Sequence, residues 1–181
     1  PSTEGGYRRL NGTTKYNSTI VPQVVSAADR VQMSAIFNNK IIAARGGTVY
    51  YGGTTGSWTS VATSQGVNNT YDFDKFNFNG TSKIIIATGE AAAFTVDTSF
   101  NVDVINATGG GTAPTNPKFI KTFANHVFYG GMSNSTHSIL FSVPFSEDNF
   151  TSASGAGEIR VGDVVTGLKV FRDELFIFCQ R

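Results

Sequence analysis

The 181 residues include one cysteine, Cys179, so no internal disulfide can staple the chain and no multi-cysteine zinc site can form. Cys179 lies in the apolar run LFIFC and reads as a buried small hydrophobe, with no basic cluster beside it to favour a reactive thiolate. Histidine is almost as rare. Only His126 and His137 are present, which leaves few ways to assemble a nucleophile, a base and an orienting group. Charge is scarce too, with 15% charged residues against about 25% in an ordinary soluble domain. A formal net charge of +1 gives no global field to gather nucleic acid or an acidic membrane. No run approaches the roughly 20 apolar residues of a membrane-spanning helix, and the N-terminus lacks the charged-then-apolar layout of a signal peptide.

What is abundant is Ser, Thr, Asn and Gly, together with Val, Ile, Phe and Tyr. The first group suits tight turns and the second suits pleated faces, so the composition points to an all-β chain. Four stretches share one order of features: AIFNNKIIAA, FNFNGTSKIIIA, KTFANHVFYGG and KVFRDELFIF. In each, an apolar strand ends in Phe, a short polar turn follows, and a charged residue or His opens a second apolar strand. Taking Lys40, Lys83, His126 and Glu174 as markers gives separations of 43, 43 and 48 residues. Third apolar runs follow at 48–51, 92–96 and 138–142, and then lone aromatics at Trp58, Phe100 and Phe150.

A unit of about 40 to 45 residues with three or four short strands matches one blade of a β-propeller. A β-sandwich is the alternative, but it gives no reason for one feature order to recur in phase. The expectation is an incomplete propeller of about three and a half blades over residues 31–181, preceded by an extended N-terminal arm or connecting segment over 1–30. Three blades and part of a fourth cannot close a ring. With an opening at Pro1 and an apolar strand just before Arg181, the sequence reads as a piece of a longer polypeptide, unstable in isolation.

Candidate chemistry is thin, and no cofactor or metal is expected. His126 sits at the repeat's charged turn position and His137 in the polar stretch SNSTHS, and both read as solvated. Asp72 and Asp74 in YDFDKF, and Glu147, Asp148 and Asn149 in SEDN, match no calcium loop and read as solvated loop acids. Gly109–Gly111 lack the lysine and strand-to-helix context of a phosphate cradle and read as a flexible loop. The Asn-x-Ser/Thr triplets, such as those at Asn68 and Asn134, follow from composition. The candidate contact residues are Tyr7, Arg8 and Arg9, which could grip a partner's carboxylates or a phosphate, and Glu147, Asp148 and Phe150 in the longest loop.

Two stretches carry a resemblance to a known group. The run from HVFYGG through LFSVPFSEDNF, Gly162–Asp163, TGLKVF and ELFIF resembles propeller-containing virion structural proteins of tailed bacteriophages. The opening PSTEGGYRRLNG resembles the lead-in of the same proteins. The resemblance covers the lead-in and about the last 60 residues, and the middle only through the repeat. It implies a non-enzymatic component of the tail tube, nozzle or head-tail connector. Such a protein assembles as a ring of identical copies, contacts neighbouring virion proteins and surrounds a channel for DNA without reading its sequence. Chains of that family are longer than this one. The alternative function is a carbohydrate-binding or glycan-cleaving propeller at a phage tail tip. Its hint, TTGSWTS, lacks the aspartate of the turn it resembles, and no acidic pair in a recognisable motif accompanies it.

Overall fold

A computed structural model describes residues 14–22 and 30–181, and among these the regular structure is fourteen strands and one 3-10 turn at Ser152–Ser154. The strands form four antiparallel sheets. The first holds β1 (Val31–Phe37), β2 (Lys40–Arg45), β3 (Thr48–Gly52) and β4 (Thr59–Ala62). The second holds β5 (Asp72–Phe78), β6 (Thr81–Ala87), β7 (Phe94–Asp97) and β8 (Val102–Val104). The third holds β9 (Phe119–Phe123), β10 (His126–Met132), β11 (Ser135–Phe141) and β12 (Gly157–Arg160). The fourth is a hairpin of β13 (Val165–Phe171) and β14 (Glu174–Cys179). Within each sheet, neighbours in space are neighbours in sequence. The chain is therefore all-β, and the repeat read from the sequence corresponds to one meander per sheet.

The first hairpin of every sheet is built alike. Phe37, Phe78, Phe123 and Phe171 close the pairs Phe37↔Lys40, Phe78↔Thr81, Phe123↔His126 and Phe171↔Glu174. Both intervening residues have positive φ in all four cases: Asn38 and Asn39, Asn79 and Gly80, Ala124 and Asn125, Arg172 and Asp173. Two left-handed residues define the type I′ turn, whose twist matches that of the flanking strands. Phase is therefore set by the phenylalanines, spaced 41, 45 and 48 residues apart. Lys83 is not the equivalent of Lys40. It lies two residues inside β6, and Thr81 holds the turn position.

These turns allow a direct test. Ala124 is exposed with φ of 48°, a conformation that costs a Cβ-bearing residue roughly 1 kcal/mol. Ala124→Gly raises stability by about 0.5–1 kcal/mol, read as a higher urea midpoint at unchanged slope.

Burial alternates so that each sheet serves two cores. On β6, Ile84 and Ile86 enter a cluster with Met33, Phe37, Ile42 and Val49 of the first sheet, while Ile85 and Ala87 face Ile120, Val127 and Tyr129 of the third. On the third sheet, Val127 and Tyr129 face the second, while Phe128 and Ile139 join Val165 and Leu168 of the fourth. Strands covered on both faces lose the polar/apolar alternation of a half-exposed strand, which explains the unbroken run IIIA in β6. The sheets thus stack in chain order with one apolar layer per seam.

Of the segment assigned to an arm, residues 14–22 lie along the first sheet. Asn17 donates to Gly53 O at 3.0 Å, and Thr19 O and Val21 O accept from Trp58 Nε1 at 2.9 Å and Arg45 Nη1 at 2.8 Å.

Candidate functional site

The polar side chains with the most hydrogen bonds gather at the seams between sheets. β9 is an edge strand, and its pairing with β10 leaves the N–H groups of Ile120 and Thr122 pointing outward. Asp72 and Asp74, two apart on β5, lie on the side facing them. Asp72 Oδ2 accepts from Ile120 N at 3.0 Å, and Asp74 Oδ2 accepts from Thr122 N and Thr122 Oγ1, both at 2.7 Å. Lys121 donates from the same seam to Asp72 Oδ1 at 3.1 Å and to Phe73 O at 3.0 Å. The two aspartates are therefore strand residues that hold the next sheet, not solvated loop acids.

A second device occurs twice. Glu90, in the loop after β6, accepts backbone N–H groups from Val67, Asn68 and Asn69 at 3.3, 2.8 and 2.9 Å, plus both asparagine side-chain amides. Asp148, in the loop after β11, accepts N–H groups from Asn106, Ala107 and Thr108 at 2.8, 2.6 and 2.8 Å. In each case an acid of one sheet gathers three consecutive amides from the linker that enters that sheet. A carboxylate accepting several backbone N–H groups is stabilised in its charged form.

Burial pushes the Glu90 carboxyl upward, but the bonds from Asn68, Asn69 and Val67 outweigh it and hold the group below its ordinary value. Asp97 is also lowered, first by the Asn101 side chain and backbone. Both keep part of their surface in solvent, so each contributes modestly. A depressed carboxyl stabilises the fold above its unfolded-state pKa, and that share disappears as pH falls through the folded-state value. Unfolding free energy is accordingly expected to drop on acidification from about pH 5 toward pH 2. Glu90→Gln costs about 1–2 kcal/mol near neutral pH and shows a shallower acid dependence in urea titrations across that range.

Burial also raises the Tyr71 phenol to about 12, opposed by a Gln32 hydrogen bond and assisted by the Glu90 charge. Tyr71 therefore remains a neutral donor, to Gly66 O at 2.6 Å. Gln32, itself buried, donates to Gly66 O and accepts from Gly47 N.

The candidate contact residues divide by position. Tyr7, Arg8 and Arg9 lie outside the described residues. Glu147, Asp148 and Phe150 are brought together, and each is engaged within the chain. Glu147 pairs with Lys83 of the second sheet, Asp148 holds the 106–108 linker, and Phe150 is buried edge-on against Tyr129 with ring centroids 5.6 Å apart. Gly109–Gly111, read as a flexible loop, pack against this same segment. Phe150 N donates to Gly110 O at 2.8 Å, and a Cβ on Gly111 would collide with the Phe150 backbone.

Three further readings change. His126 is half-buried among Phe128 and Phe141, with Nδ1 2.5 Å from Ser142 O. His137 lies within β11 rather than in a loop, exposed and beside Thr136. Cys179 is half-buried rather than buried, on a strand that has β13 as its one neighbour among the described residues. Trp58, Phe100 and Phe150 do share the connection between third and fourth strands, and two of them reach back to the preceding sheet: Phe150 joins Phe76 and Ile85 in the layer between the second and third sheets, and Phe100 packs on the first. It stacks on Tyr51 at 3.9 Å and meets Phe37 edge-on.

The sequence reading missed Glu90. The available signal was a lone acid in the glycine turn TGE between apolar strands, set against the donor-rich VNNT.

An open cleft of about 480 Å³ lies where the first two sheets meet, lined by Asn38, Lys75, Asn77, Ser82, Lys83 and Thr98 among others. Its lysines are drawn away from a ligand role, Lys83 by Glu147 and Lys75 by Ile36 O at 3.5 Å. Among the described residues, no three His, Cys, Asp or Glu side chains converge as metal donors. The arrangement as a whole is suited to joining sheets. No protein-family model matches the chain, and no curated protein matches it either.

Proposed function

We propose that the chain is a non-enzymatic structural module, a propeller-like array of blades from a tail tube, nozzle or head-tail connector of a bacteriophage virion. The observation that carries the structural part is the use of carboxylates. Asp72, Asp74, Glu90, Asp148 and Glu147 each bond a neighbouring sheet or the linker into their own. A stiff stack of this kind transmits load and presents loops to neighbours. An enzyme would instead keep such groups poised in a cleft.

The propeller geometry is supported by the meander order of each sheet and by the succession of first strands. Tyr71 N donates to Gln32 O beside β1, the β5 aspartates hold β9, and Leu168 of β13 shares a cluster with Phe119 and Phe123 of β9. First strands gathered on one side, with fourth strands outermost, suit blades around an axis. A sandwich would place its strands in two facing sheets. The virion assignment rests on the resemblance carried by the lead-in and the last 60 or so residues. On that reading the partners are other copies in a ring and adjoining virion proteins.

Electron cryomicroscopy of particles that contain this chain is the test. The expected result is density on the tail's central axis, with rotational copies around a channel. A peripheral position with an open pocket, or release of sugars from host surface polysaccharide by the purified chain, would overturn the proposal.

A further inference from the structure

Two Asn-Gly pairs occur in the sequence, Asn11-Gly12 and Asn79-Gly80. The first lies outside the described residues, and the second forms the turn between β5 and β6. Asn79 has φ of 53° and Gly80 φ of 82°, both are exposed, and a Cβ on Gly80 would meet nothing within 4 Å. In a two-residue turn the closing hydrogen bonds belong to the flanking pair, here Phe78 and Thr81. The Gly80 N–H therefore stands outside the ladder, and among the described residues nothing bonds it or the Asn79 side-chain amide. Asparagines of other turns are restrained. Asn38 donates to Thr98 O at 2.7 Å, and Asn17 is held by Gly53 O and by the Thr19 N–H. Asn39 and Asn125 precede Lys40 and His126, whose N–H groups close their own hairpins on Phe37 and Phe123.

We propose that Asn79 is a self-modification site, at which the chain deamidates through a cyclic imide that its own Gly80 nitrogen closes. That nitrogen attacks Cγ of Asn79 and forms an N–Cγ bond. The Cγ–Nδ2 bond breaks, and the amide nitrogen leaves as ammonia with the proton from Gly80. Glycine permits the rotation this needs, having no Cβ to obstruct the approach. Water then opens the imide at either carbonyl. Opening at Cγ leaves aspartate, and opening at the main-chain carbonyl leaves isoaspartate, whose backbone runs through Cβ and Cγ. No oxidant, reductant or cofactor enters the balance. Asp-Gly is itself a type I′ pair, so the aspartate product keeps the turn. Isoaspartate lengthens the turn by a methylene, and Phe78 and Thr81 lose their register at the end of the ladder. Phe78 is buried, edge-on to Phe145 of the third sheet with ring centroids 6.2 Å apart. A displaced tip therefore loosens the seam between the second and third sheets as the chain ages. None of this depends on the virion reading.

The test incubates the folded 181-residue chain in heavy-oxygen water at neutral pH and body temperature, followed by tryptic digestion and mass spectrometry. Cleavage after Lys75 and Lys83 isolates residues 76–83, and fragmentation places the change within them. The Asn79 amide is expected to become a heavy-oxygen carboxyl at least about tenfold faster than those of Asn38, Asn39 or Asn125, whose following residues all carry a Cβ. Aspartate and isoaspartate both appear, told apart by electron-transfer fragmentation. Asn79→Gly retains a type I′ pair, so the fresh variant keeps its urea midpoint while the product disappears from this peptide. The isoaspartate form, separated chromatographically, unfolds at a lower urea concentration than the aspartate form. Aspartate as the sole product would indicate direct hydrolysis and overturns the proposal. So does an intact Asn79 in the folded chain when the urea-denatured chain reacts there, or a reaction equally fast at Asn38 or Asn125. An isoaspartate form as stable as the aspartate form overturns the effect on the seam.

Discussion

Tyr129→Ala is expected to lower the unfolding free energy by about 4 kcal/mol, in the range found for deleting a large aromatic side chain from a packed core. Tyr129→Phe is expected to cost about 1–2 kcal/mol. Tyr129 is fully buried in the layer between the second and third sheets, with Phe76, Ile85, Ile120 and Phe150 in the same cluster. Its hydroxyl donates to Glu147 O at 2.6 Å. Burial, with the nearby Glu147 and Asp148 charges adding to it, holds the phenol well above its ordinary pKa, so it stays a donor. The alanine variant opens a cavity and releases the 147–150 loop together. The phenylalanine variant keeps the packing and leaves the Glu147 carbonyl short of one partner. Urea titrations give the two costs, and limited proteolysis between residues 144 and 150 reports on the loop. Equal losses for both variants would mean that the hydroxyl, not the ring, fixes this seam. A loss below about 1 kcal/mol for Tyr129→Ala would mean that the cluster does not support the third sheet.

The repeat was legible because it is written in residues with local consequences. Phe, two turn residues and a strand opener recur wherever a type I′ hairpin begins, and hairpin geometry depends on near neighbours in the chain. The position of Lys83 was misjudged because the apolar KIII run aligns well with KII after Lys40, whereas the turn itself sits two residues earlier at Asn79–Gly80. The roles of Asp72, Asp74, Glu90 and Asp148 were not legible. Their partners are backbone amides 21 to 48 residues away, and an amide carries no sequence signature. Besides the TGE turn at Glu90, the visible hint was the alternation of Asp72 and Asp74 within a strand, which places both on one face. His126 was misread for a related reason. A turn position implies solvent only if no later strand packs over it, and Phe141 does so.

Removing the two β5 carboxylates together, as Asp72→Ala with Asp74→Ala, is expected to cost about 3–4 kcal/mol, with each single change near 2 kcal/mol. Two outward N–H groups of β9 lose their acceptors, and the half-buried Lys121 ammonium keeps only Phe73 O. The seam is half-exposed, so water recovers part of each loss, which keeps the figures below those of a sealed core. The singles share one seam and need not add. Asp74→Asn retains an acceptor for Thr122 and is expected to lose less than Asp74→Ala, while Asp72→Asn also gives up the ion pair with Lys121. Hydrogen exchange separates this account from general destabilisation: under native conditions the Ile120 and Thr122 amides lose protection in the double variant well before those of Val127, which donates to Ser142 Oγ, and Tyr129, both on the interior strand β10. Equal loss across all four amides would place the carboxylates in global stability rather than at the seam. Selective loss would make β9 a strand whose exposed edge is held shut by side chains, the role that a neighbouring strand plays for β10.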